Sequence, residues 1–440
     1  MEQSVPIHPV ALAFMLVAGS LMLALPRRGA LVPLVFAIVF IPLQQRIMVY
    51  SLDFFIIRIL ILFGWTRVLM RGEYSIKLNT IDKLMVLWAV SAVATYTMLW
   101  QTWGAFINRL GVSFDIIGIY FLIRFLVRDF DDIVWVVKIF AFVTIPVAAA
   151  MFLERVNGRN LFSVFGGVPD VTIVRWGKMR CQGAFSHPIT AGTFGAAVFP
   201  LLIALRLVGG NGRALMAFGA IAASVITLST SSSGPLLGYL AGIAALCMWF
   251  FRDRMREFRW ALALTLIALH LVMKAPVWAL LARANVFGGS TGYHRFYLFD
   301  QFLRRFNEWW LFGVRSTADW GYYLFDVTNN FVRIGVDGGL STLVIFIAIL
   351  AFSFQSIGRA VRSTEDDVQQ KIYWALGASL LVHVVSFFGV SYFDQIKVVL
   401  YMLLGMISVA RSLSEEAAYE LKTAPEDEDE TVRAGESRSY

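Results

Sequence analysis

Apolar residues occupy the chain in long runs, separated by short stretches in which the charged residues collect. Most runs are about 17–22 residues long, the length that an α-helix needs to cross the hydrocarbon core of a bilayer. They lie at about residues 8–25, 29–43, 47–66, 84–103, 108–126, 133–153, 188–207, 214–230, 235–251, 260–276, 334–354, 373–392 and 395–411. The pattern predicts an all-α fold, a polytopic membrane helical bundle of about 12–13 transmembrane helices.

The composition supports a membrane protein and excludes several other classes. Of the 440 residues, 58% are hydrophobic and 15% are charged, whereas a soluble domain carries about 25% charged residues. The net charge of +8 comes from Lys and Arg that lie mainly between the apolar runs. This distribution is typical of membrane topology signals, so we expect no nucleic-acid partner. Two cysteines, Cys181 and Cys247, suggest neither a disulfide framework nor a metal cluster.

Charge also predicts the orientation of the chain. One set of alternate loops is short and rich in Lys and Arg, including Arg27-Arg28 and "RDRMREFR", and is predicted to be cytoplasmic. Residues 412–440 join this side, and their "EDEDE" stretch and low apolar content predict a disordered acidic cytoplasmic tail. Residues 1–153 then form N-terminal transmembrane helices, and residues 154–411 form a core that includes a long loop.

Two long loops, at about 154–187 and 277–333, are expected on the opposite side of the membrane. The second contains "HRFYLFDQFLRRF", whose spacing predicts an amphipathic helix in the outer membrane interface with a basic face. The cations of these loops are Arg155, Arg159, Arg175, Lys178, Arg180, Arg283, Arg295, Arg304, Arg305 and Arg315. Cations on this side are explained either by anionic lipid headgroups or by an anionic ligand.

Two predicted helices start on the same outer side with polar residues before a proline. The sequence "SHPIT" places His187 before Pro188, and "TSSSGP" places Ser232 and Ser233 before Pro235. Helix N-termini carry free N–H groups and the positive end of the helix dipole, so they attract phosphate-like anions. The alternative for each motif is that these residues only cap their helix.

Three sequence elements together resemble a family. "RCQGAFSHP" at 180–188 is similar to its RxxGxFxHP element, and "TSSSG" at 230–234 is similar to its TxSRG element. "TNNFVRIGVDGG" at 328–339 is similar to its HNxxLxxxxxxG element, in which an acidic residue often precedes the final glycine. The chain thereby resembles, over about residues 175–350, the bacterial O-antigen ligases and the O-antigen or exopolysaccharide polymerases. These are integral-membrane glycosyltransferases of GT-C-like architecture, which predicts a large, partly helical periplasmic loop.

Two positions depart from the family pattern. Thr328 stands where the family has a histidine, with Asn329 following it and Asp337 at the acidic position, and Ser233 replaces an arginine. In ligases that histidine is proposed to help activate the acceptor hydroxyl, and threonine cannot act as a base at neutral pH. Asp326, two residues earlier, is the nearest substitute. Loss of the histidine favours a polymerase or a divergent ligase.

The resemblance implies transfer of a glycan from an undecaprenyl-diphosphate-linked donor to a sugar hydroxyl of a glycan or glycolipid acceptor. The reaction would take place at the periplasmic face of the bacterial inner membrane, with other polysaccharide assembly proteins as further partners. Arginines would hold the diphosphate leaving group without a metal or another cofactor. We therefore predict Arg180, Arg295 and Asp326 as catalytic. The predicted substrate-binding residues are Arg175, Lys178, His187, Ser232, Ser233, Arg315, Thr328, Asn329 and Asn330.

Several side chains keep two interpretations. Asp326, Asn329 and Asn330 bind sugar hydroxyls or cap a helix. The aromatic residues of the second long loop stack on sugar rings or form an interfacial belt; they are Trp309, Trp310, Trp320, Tyr322 and Tyr323. Charges inside predicted spans form structural pairs or line a substrate groove. Among them, we expect Asp115 to pair with an outer-loop cation and Arg124 to reach the cytoplasmic edge.

Two other functions remain open on the sequence alone. A transporter or flippase for an amphipathic anionic glycolipid would use the same arginines, although no internal repeat of the kind common in transporters is evident. A catalytically inactive scaffold of an envelope glycan machine would account for the two departures.

Overall fold

Most of the predicted membrane runs are helical in the structure, a computed structural model that describes residues 6–49, 52–208, 212–283 and 291–423. Its helices and strands are α1 (Pro9–Ala24), α2 (Arg27–Phe40), β1 (Arg46–Val49), β2 (Leu52–Phe55), α3 (Ile56–Met70), α4 (Thr80–Trp100), α5 (Trp103–Leu126), α6 (Phe130–Asn157), β3 (Ile173–Arg175), β4 (Lys178–Arg180), α7 (Pro188–Val208), α8 (Arg213–Ser229), α9 (Ser233–Cys247), α10 (Met255–Val272), α11 (Leu280–Arg283), α12 (Thr291–Arg304), α13 (Phe306–Trp309), α14 (Asn330–Arg362), α15 (Asp367–Phe387) and α16 (Asp394–Thr423).

Seven helical segments among the described residues are long and apolar enough to cross a membrane. They are Thr80–Trp100, Trp103–Leu126, Phe130–Asn157, Pro188–Val208, Ser233–Val272, Asn330–Arg362 and Asp394–Glu420. Helices α1 and α8 are shorter and also apolar. The prediction of an all-α polytopic membrane bundle is confirmed. The outer side below means the side that holds the chain before α7 and the chain between α10 and α14.

The 40-residue segment Ser233–Val272 folds back on itself, as two predicted spans require. The first turn of this segment lies beside α12, because a Cβ on Gly234 would be 3.9 Å from Nη2 of Arg295 in α12. Near its other end, the ring of His270 stacks on Trp278 at 5.5 Å, and Trp278 Nε1 donates to Asp300 of α12 at 3.1 Å. A straight helix of this length would separate the two ends by about 60 Å. No residue of α10 is buried.

The third predicted span, 47–66, is wrong over its first half. Strands β1 and β2 form an antiparallel hairpin in which Arg46 faces Phe55, and α3 starts only after it. "RIMV" and "LDFF" are rich in branched and aromatic residues, which favour strands. The chain before the hairpin is tied to polar partners, since buried Gln45 donates from Nε2 to Phe165 O at 2.9 Å.

The predicted disordered tail is wrong at its start, because α16 continues to Thr423. "SEEAAYELK" consists largely of good helix formers. Arg411 Nε also donates to Glu415 Oε1 at 2.9 Å, one turn along the same helix. Residues 424–440, which carry "EDEDE", lie outside the described residues.

Several charged residues inside the bundle form pairs, and one expectation about them is wrong. Arg124 lies in the last turn of α5, where its Nε donates to buried Asp82 Oδ1 at 2.9 Å and its Nη2 donates to Lys77 O at 3.3 Å, in the loop that is predicted to be cytoplasmic. Asp115 pairs with Arg58 of α3 at 2.8 Å rather than with an outer-loop cation. Asp115 pairs with the nearer cation because the interior of the bundle has low polarity, where a charge is stabilised mainly by an adjacent opposite charge.

The predicted amphipathic helix exists as α12, and part of its apolar face packs on protein. Leu298 and Phe302 of α12 join Trp309 and Trp320 in a separate hydrophobic cluster against the first turns of α14. The two tryptophans are only 2% and 3% exposed, so they form the core of this loop and are not available to stack on a sugar or to form an interfacial belt.

Helix α14 is kinked at Gly339, whose φ of 73° and ψ of −174° are not helical. The kink lets the backbone before α14 pair with it, because Leu340 N donates to Trp310 O at 2.7 Å. A Cβ on Gly339 would lie 2.5 Å from Leu311 O. The final glycine of "TNNFVRIGVDGG" is therefore required both for its positive φ and for close backbone approach.

We expect Gly339→Ala to destabilise the protein by about 1–3 kcal/mol, since it adds both backbone strain and a steric clash. The measurement is the thermal unfolding midpoint in detergent. Gly104→Ala is the matched control, because a Cβ there meets no heavy atom within 4 Å. Equal midpoints for the two variants would contradict this account of the kink.

Candidate functional site

The loop between β4 and α7 is held in place by a carboxylate of α6. Buried Glu154 accepts hydrogen bonds from Gln182 N at 3.1 Å and Gly183 N at 3.0 Å. Asn160 Nδ2 donates to Gly183 O at 2.8 Å, so the backbone N–H and the backbone C=O of Gly183 are both hydrogen-bonded. Gly183 has a φ of 57°, which explains the glycine in "RCQGAFSHP". This loop fixes Arg180 before it and His187 after it.

Sequence reasoning missed Glu154. It stands one residue beyond the predicted sixth span, where an acidic residue looks like an ordinary boundary charge. Its partners are backbone N–H groups almost thirty residues later, and no local pattern indicates such contacts. The signal that could have found it was weak: a carboxylate at the outer end of a span, beside a loop that is otherwise cationic.

Arg180 connects the first two sequence elements. It is 7% exposed, and its Nη2 donates to Ser232 Oγ at 2.8 Å. Ser232 in turn donates to Thr230 O at 3.0 Å, which orients its hydroxyl oxygen toward the guanidinium. The start of α9 therefore positions the arginine of the preceding loop, although the two residues are 52 positions apart.

Arg295 approaches the same helix start from α12. It is 8% exposed and lies between two glycines: a Cβ would be 3.9 Å from its Nη2 at Gly234 and 3.4 Å from its Cζ at Gly389. Both distances are in the van der Waals range, so these two glycines border the guanidinium. Its side chain makes no hydrogen bond or ion pair with any residue that the structure describes. Arg295 is thus a buried charge without a counter-ion in the described chain.

The electrostatics of the site follow from burial and from like charges. Burial, and then the charges of Arg175 and Arg295, lower the pKa of Arg180 to about 10. Burial and then Arg175 lower the pKa of Arg295. Burial, followed by Arg180 and Arg175, lowers the pKa of His187 to about 4. At neutral pH both arginines are charged and the histidine is neutral.

His187 also has a defined tautomer. Its Nδ1 accepts a hydrogen bond from Ile189 N at 3.1 Å, which caps α7. A neutral imidazole whose Nδ1 accepts carries its proton on Nε2, so Nε2 is a donor. His187 therefore adds a hydrogen-bond donor beside the arginines.

The arrangement is suited to an anion with several oxygens. Isolated buried charges are costly, and an anion bound between Arg180 and Arg295 offsets that cost. Guanidinium groups bind phosphate-like oxygens bidentately. The starts of α7 and α9 lie close together, because a Cβ on Gly192 in α7 would be 2.8 Å from Pro235 Cβ in α9. The free N–H groups of helix starts favour negative charge.

The remaining predicted cations separate into two groups. Arg175 and Lys178 face each other across the exposed β3–β4 hairpin, and Arg175 acts electrostatically on Arg180 and Arg295. Arg315 is placed elsewhere: its Nε and Nη2 donate to Leu99 O at 3.1 and 3.0 Å. Arg315 thus holds the outer end of α4 and does not join Arg180 and Arg295.

The predicted substrate-binding residue Ser233 lies partly buried in the first turn of α9.

The start of α14 contributes polar groups near α12. Asn329 Oδ1 caps the helix by accepting from Phe331 N at 2.9 Å, and Asn330 Oδ1 accepts from Tyr392 N at 2.9 Å. Both amides thus have a structural role. Thr328 Oγ1 and Asn329 Nδ2 are buried and have no hydrogen-bond partner among the described residues. The hydrogen-bonding capacity of these two atoms is therefore unused among the described residues.

Asp326 lies at the surface of the outer loop. Its side chain is exposed, and its carbonyl oxygen lies 3.0 Å from His294 Nε2, one residue before Arg295 in α12. This contact joins the backbone of Asp326 to α12, but its carboxylate is not among the charges that act on Arg295. Its carboxylate is exposed to solvent and can therefore exchange protons with water.

Comparisons with known proteins add no assignment. A scan of the chain against profiles of known protein families gave no match, and a search of curated protein sequences also gave none. Within the described ranges, no three His, Cys, Asp or Glu side chains are grouped so that they could hold a metal ion. Functional inference therefore rests on the geometry of the site and on the sequence elements that form it.

We expect Glu154→Ala to loosen the loop, because it leaves two buried N–H groups unsatisfied at about 1–3 kcal/mol each. Hydrogen exchange at Gln182 and Gly183 should accelerate, and Glu154→Gln, which keeps one acceptor oxygen, should be intermediate. Glu365→Ala, at an exposed position, serves as the control. Unchanged exchange in Glu154→Ala would show that Glu154 does not hold the loop.

Inorganic pyrophosphate should raise the thermal unfolding midpoint, since it neutralises Arg180 and Arg295. At ten times the dissociation constant the gain is about 1.4 kcal/mol. Arg295→Ala should lose most of this gain, whereas Arg304→Ala should keep it, because Arg304 is 70% exposed and paired with Asp300. Ionic strength is matched with sodium chloride. The same gain in both variants would locate anion binding elsewhere.

Proposed function

We propose that this chain is a membrane glycosyltransferase that moves a glycan from an undecaprenyl-diphosphate-linked donor to a sugar hydroxyl. The observation that carries the proposal is the pair of buried arginines, Arg180 and Arg295, without a carboxylate partner among the described residues. The resemblance of three sequence elements to O-antigen ligases and polymerases supports it. Two of these elements supply Arg180 and Ser232, which are hydrogen-bonded to each other.

The chemistry requires stabilisation of the leaving group. As the bond between the sugar carbon and the diphosphate oxygen breaks, its electron pair stays on that oxygen and the negative charge of the diphosphate increases. Arg180 and Arg295 would hold this charge in a water-poor site, where fixed cations act most strongly. His187 would donate one further hydrogen bond from Nε2. No step in this account uses a metal ion.

The acceptor hydroxyl forms the new bond to the same sugar carbon and gives up its proton. Thr328 cannot take that proton at neutral pH, and His187 Nδ1 is already an acceptor for Ile189 N. In our proposal Asp326, whose backbone contacts α12, takes that proton, and its exposed side chain would pass it to water. Thr328 Oγ1 and Asn329 Nδ2 would orient the acceptor.

We further propose that the site faces the periplasm of a bacterial cell, with the acidic C-terminal segment in the cytoplasm. The charge of the alternate loops supports this orientation. The acceptor would be a growing surface polysaccharide or a glycolipid, and other polysaccharide assembly proteins would supply the donor at the outer face.

The test uses the full chain in lipid nanodiscs with an undecaprenyl-diphosphate oligosaccharide and a glycan acceptor. Release of undecaprenyl diphosphate, measured in EDTA, should fall about 100-fold or more in Arg180→Lys and Arg295→Lys, because lysine cannot reproduce the planar fork. Asp326→Asn should lower the rate about 100- to 10,000-fold. Arg304→Lys is the matched control.

Other results would contradict the proposal in different ways. Turnover that appears only with added metal would refute the metal-free account. Absence of turnover under all conditions would favour an inactive scaffold. Movement of the intact lipid-linked glycan across a liposome bilayer, without cleavage, would favour a transporter.

A further inference from the structure

A second group of charged side chains lies in the outer part of the bundle, between α3, α5, α14 and α16. We call it the mixed-charge group, and it consists of Arg58, Arg109, Asp115, Arg333, Asp337, Asp394 and Lys397. None of these residues contributes to the reaction proposed above. Charges at such positions are expensive and are usually paired or functional.

Some members of the group satisfy one another. Arg58 Nε lies 2.8 Å from Asp115 Oδ1. Asp337 bridges two helices, with its Oδ2 at 3.4 Å from Arg109 Nη1 and 3.1 Å from Arg333 Nε. These pairs account for two of the carboxylates and for three of the cations.

Lys397 is different, because its ammonium makes no hydrogen bond or ion pair with any residue that the structure describes. It is attracted at longer range by Asp394, Asp115 and Asp337, and it is repelled by Arg109. The side chain is partly buried one turn into α16. An ammonium in this position needs oxygen ligands, and the surrounding protein side chains do not supply them directly.

The balance of charge distinguishes this group from the arginine site. The arginine site combines cations without a carboxylate, which favours an anion. The mixed-charge group combines four cations with three carboxylates, so a second anion would meet repulsion from Asp115, Asp337 and Asp394. A neutral ligand that both donates and accepts hydrogen bonds suits it better.

Aromatic rings border the group on α4. Arg109 lies over the ring of Tyr96 at 5.0 Å, and Tyr96 lies 6.0 Å from Trp100. Tyr96 is also within electrostatic range of Asp337 and Arg333. Charged hydrogen-bonding groups beside aromatic faces match a sugar, which has hydroxyl groups along its edge and apolar C–H faces.

The mixed-charge group adjoins the arginine site. Ser186, which precedes His187, donates a hydrogen bond to Asp394. Asp394 begins α16 with a φ of 46°, a conformation that non-glycine residues seldom adopt and that often marks functional positions. Because Lys397 lies one turn further along the same helix, a glycan could contact it while its end reaches the arginine site.

We propose that the mixed-charge group binds neutral sugar residues of the acceptor glycan, with Lys397 donating to their hydroxyl oxygens. This inference rests on the proposed function, since it assigns a place to the second substrate of that reaction. The alternative is that these charges only stabilise helix packing.

Photo-crosslinking in the cells that make the protein tests the inference without a purified acceptor. A benzophenone amino acid replaces Lys397, and in separate variants it replaces Trp176, an exposed residue next to Arg175, or Lys371 at the start of α15. We expect periodate-sensitive carbohydrate to be captured at positions 397 and 176 and not at 371.

The outcomes separate the two proposals. Capture at 176 but not at 397 would overturn the acceptor site and leave the glycosyltransferase proposal standing. Capture at neither position would contradict both. Capture at 397 of a lipid chain without carbohydrate would also overturn the inference.

A kinetic measurement covers the case in which the bulky residue prevents folding. Lys397→Gln should raise the KM for a glycan acceptor extracted from the same cells about tenfold, and it should leave the KM for the lipid-linked donor unchanged. Lys371→Gln is the matched control. A lower thermal midpoint with both KM values unchanged would assign Lys397 to helix packing and overturn the inference.

Discussion

Burying a positive charge without a counter-ion is among the most costly arrangements in a protein interior, and Arg180 and Arg295 are buried in this way at the outer end of the bundle, among the residues that the structure describes. Arg180 and Arg295 come from different loops and meet at the start of one helix. Much of the surrounding structure keeps them there. Glu154 holds the loop that presents Arg180, Ser232 fixes its guanidinium, and the hydrophobic cluster under α12 fixes Arg295.

The glycines of the site serve this same requirement. Gly234 and Gly389 border the guanidinium of Arg295, and Gly183 turns the chain between Arg180 and His187. Gly339 acts at a greater distance, because its kink lets the backbone before α14 pack onto the first turns of that helix. At Gly339 the absence of a side chain is what lets the two backbone segments approach closely.

The fold was more predictable than the site because a bilayer imposes a length on each helix. Runs of apolar residues located the seven membrane-length segments among the described residues, and they failed at residues 46–55, where strand-forming residues are equally apolar. The cations on the outer side indicated an anion site, and Arg180, Arg295 and Ser232 do come together. Glu154 and Lys397 could not be identified, since their importance depends on contacts between distant helices. Arg315 looked equivalent to the other outer cations in sequence and differs only in its contact with Leu99.

Helix α10 has no buried residue, although both α9 and the chain that follows α10 reach α12. In a bilayer the exposed sides of α10 would meet acyl chains, so lipid would border this flank of the bundle in place of protein. A donor of the proposed kind has a long hydrocarbon tail that is soluble in lipid. Its head group would then reach Arg295 by lateral diffusion while the tail stays in the membrane.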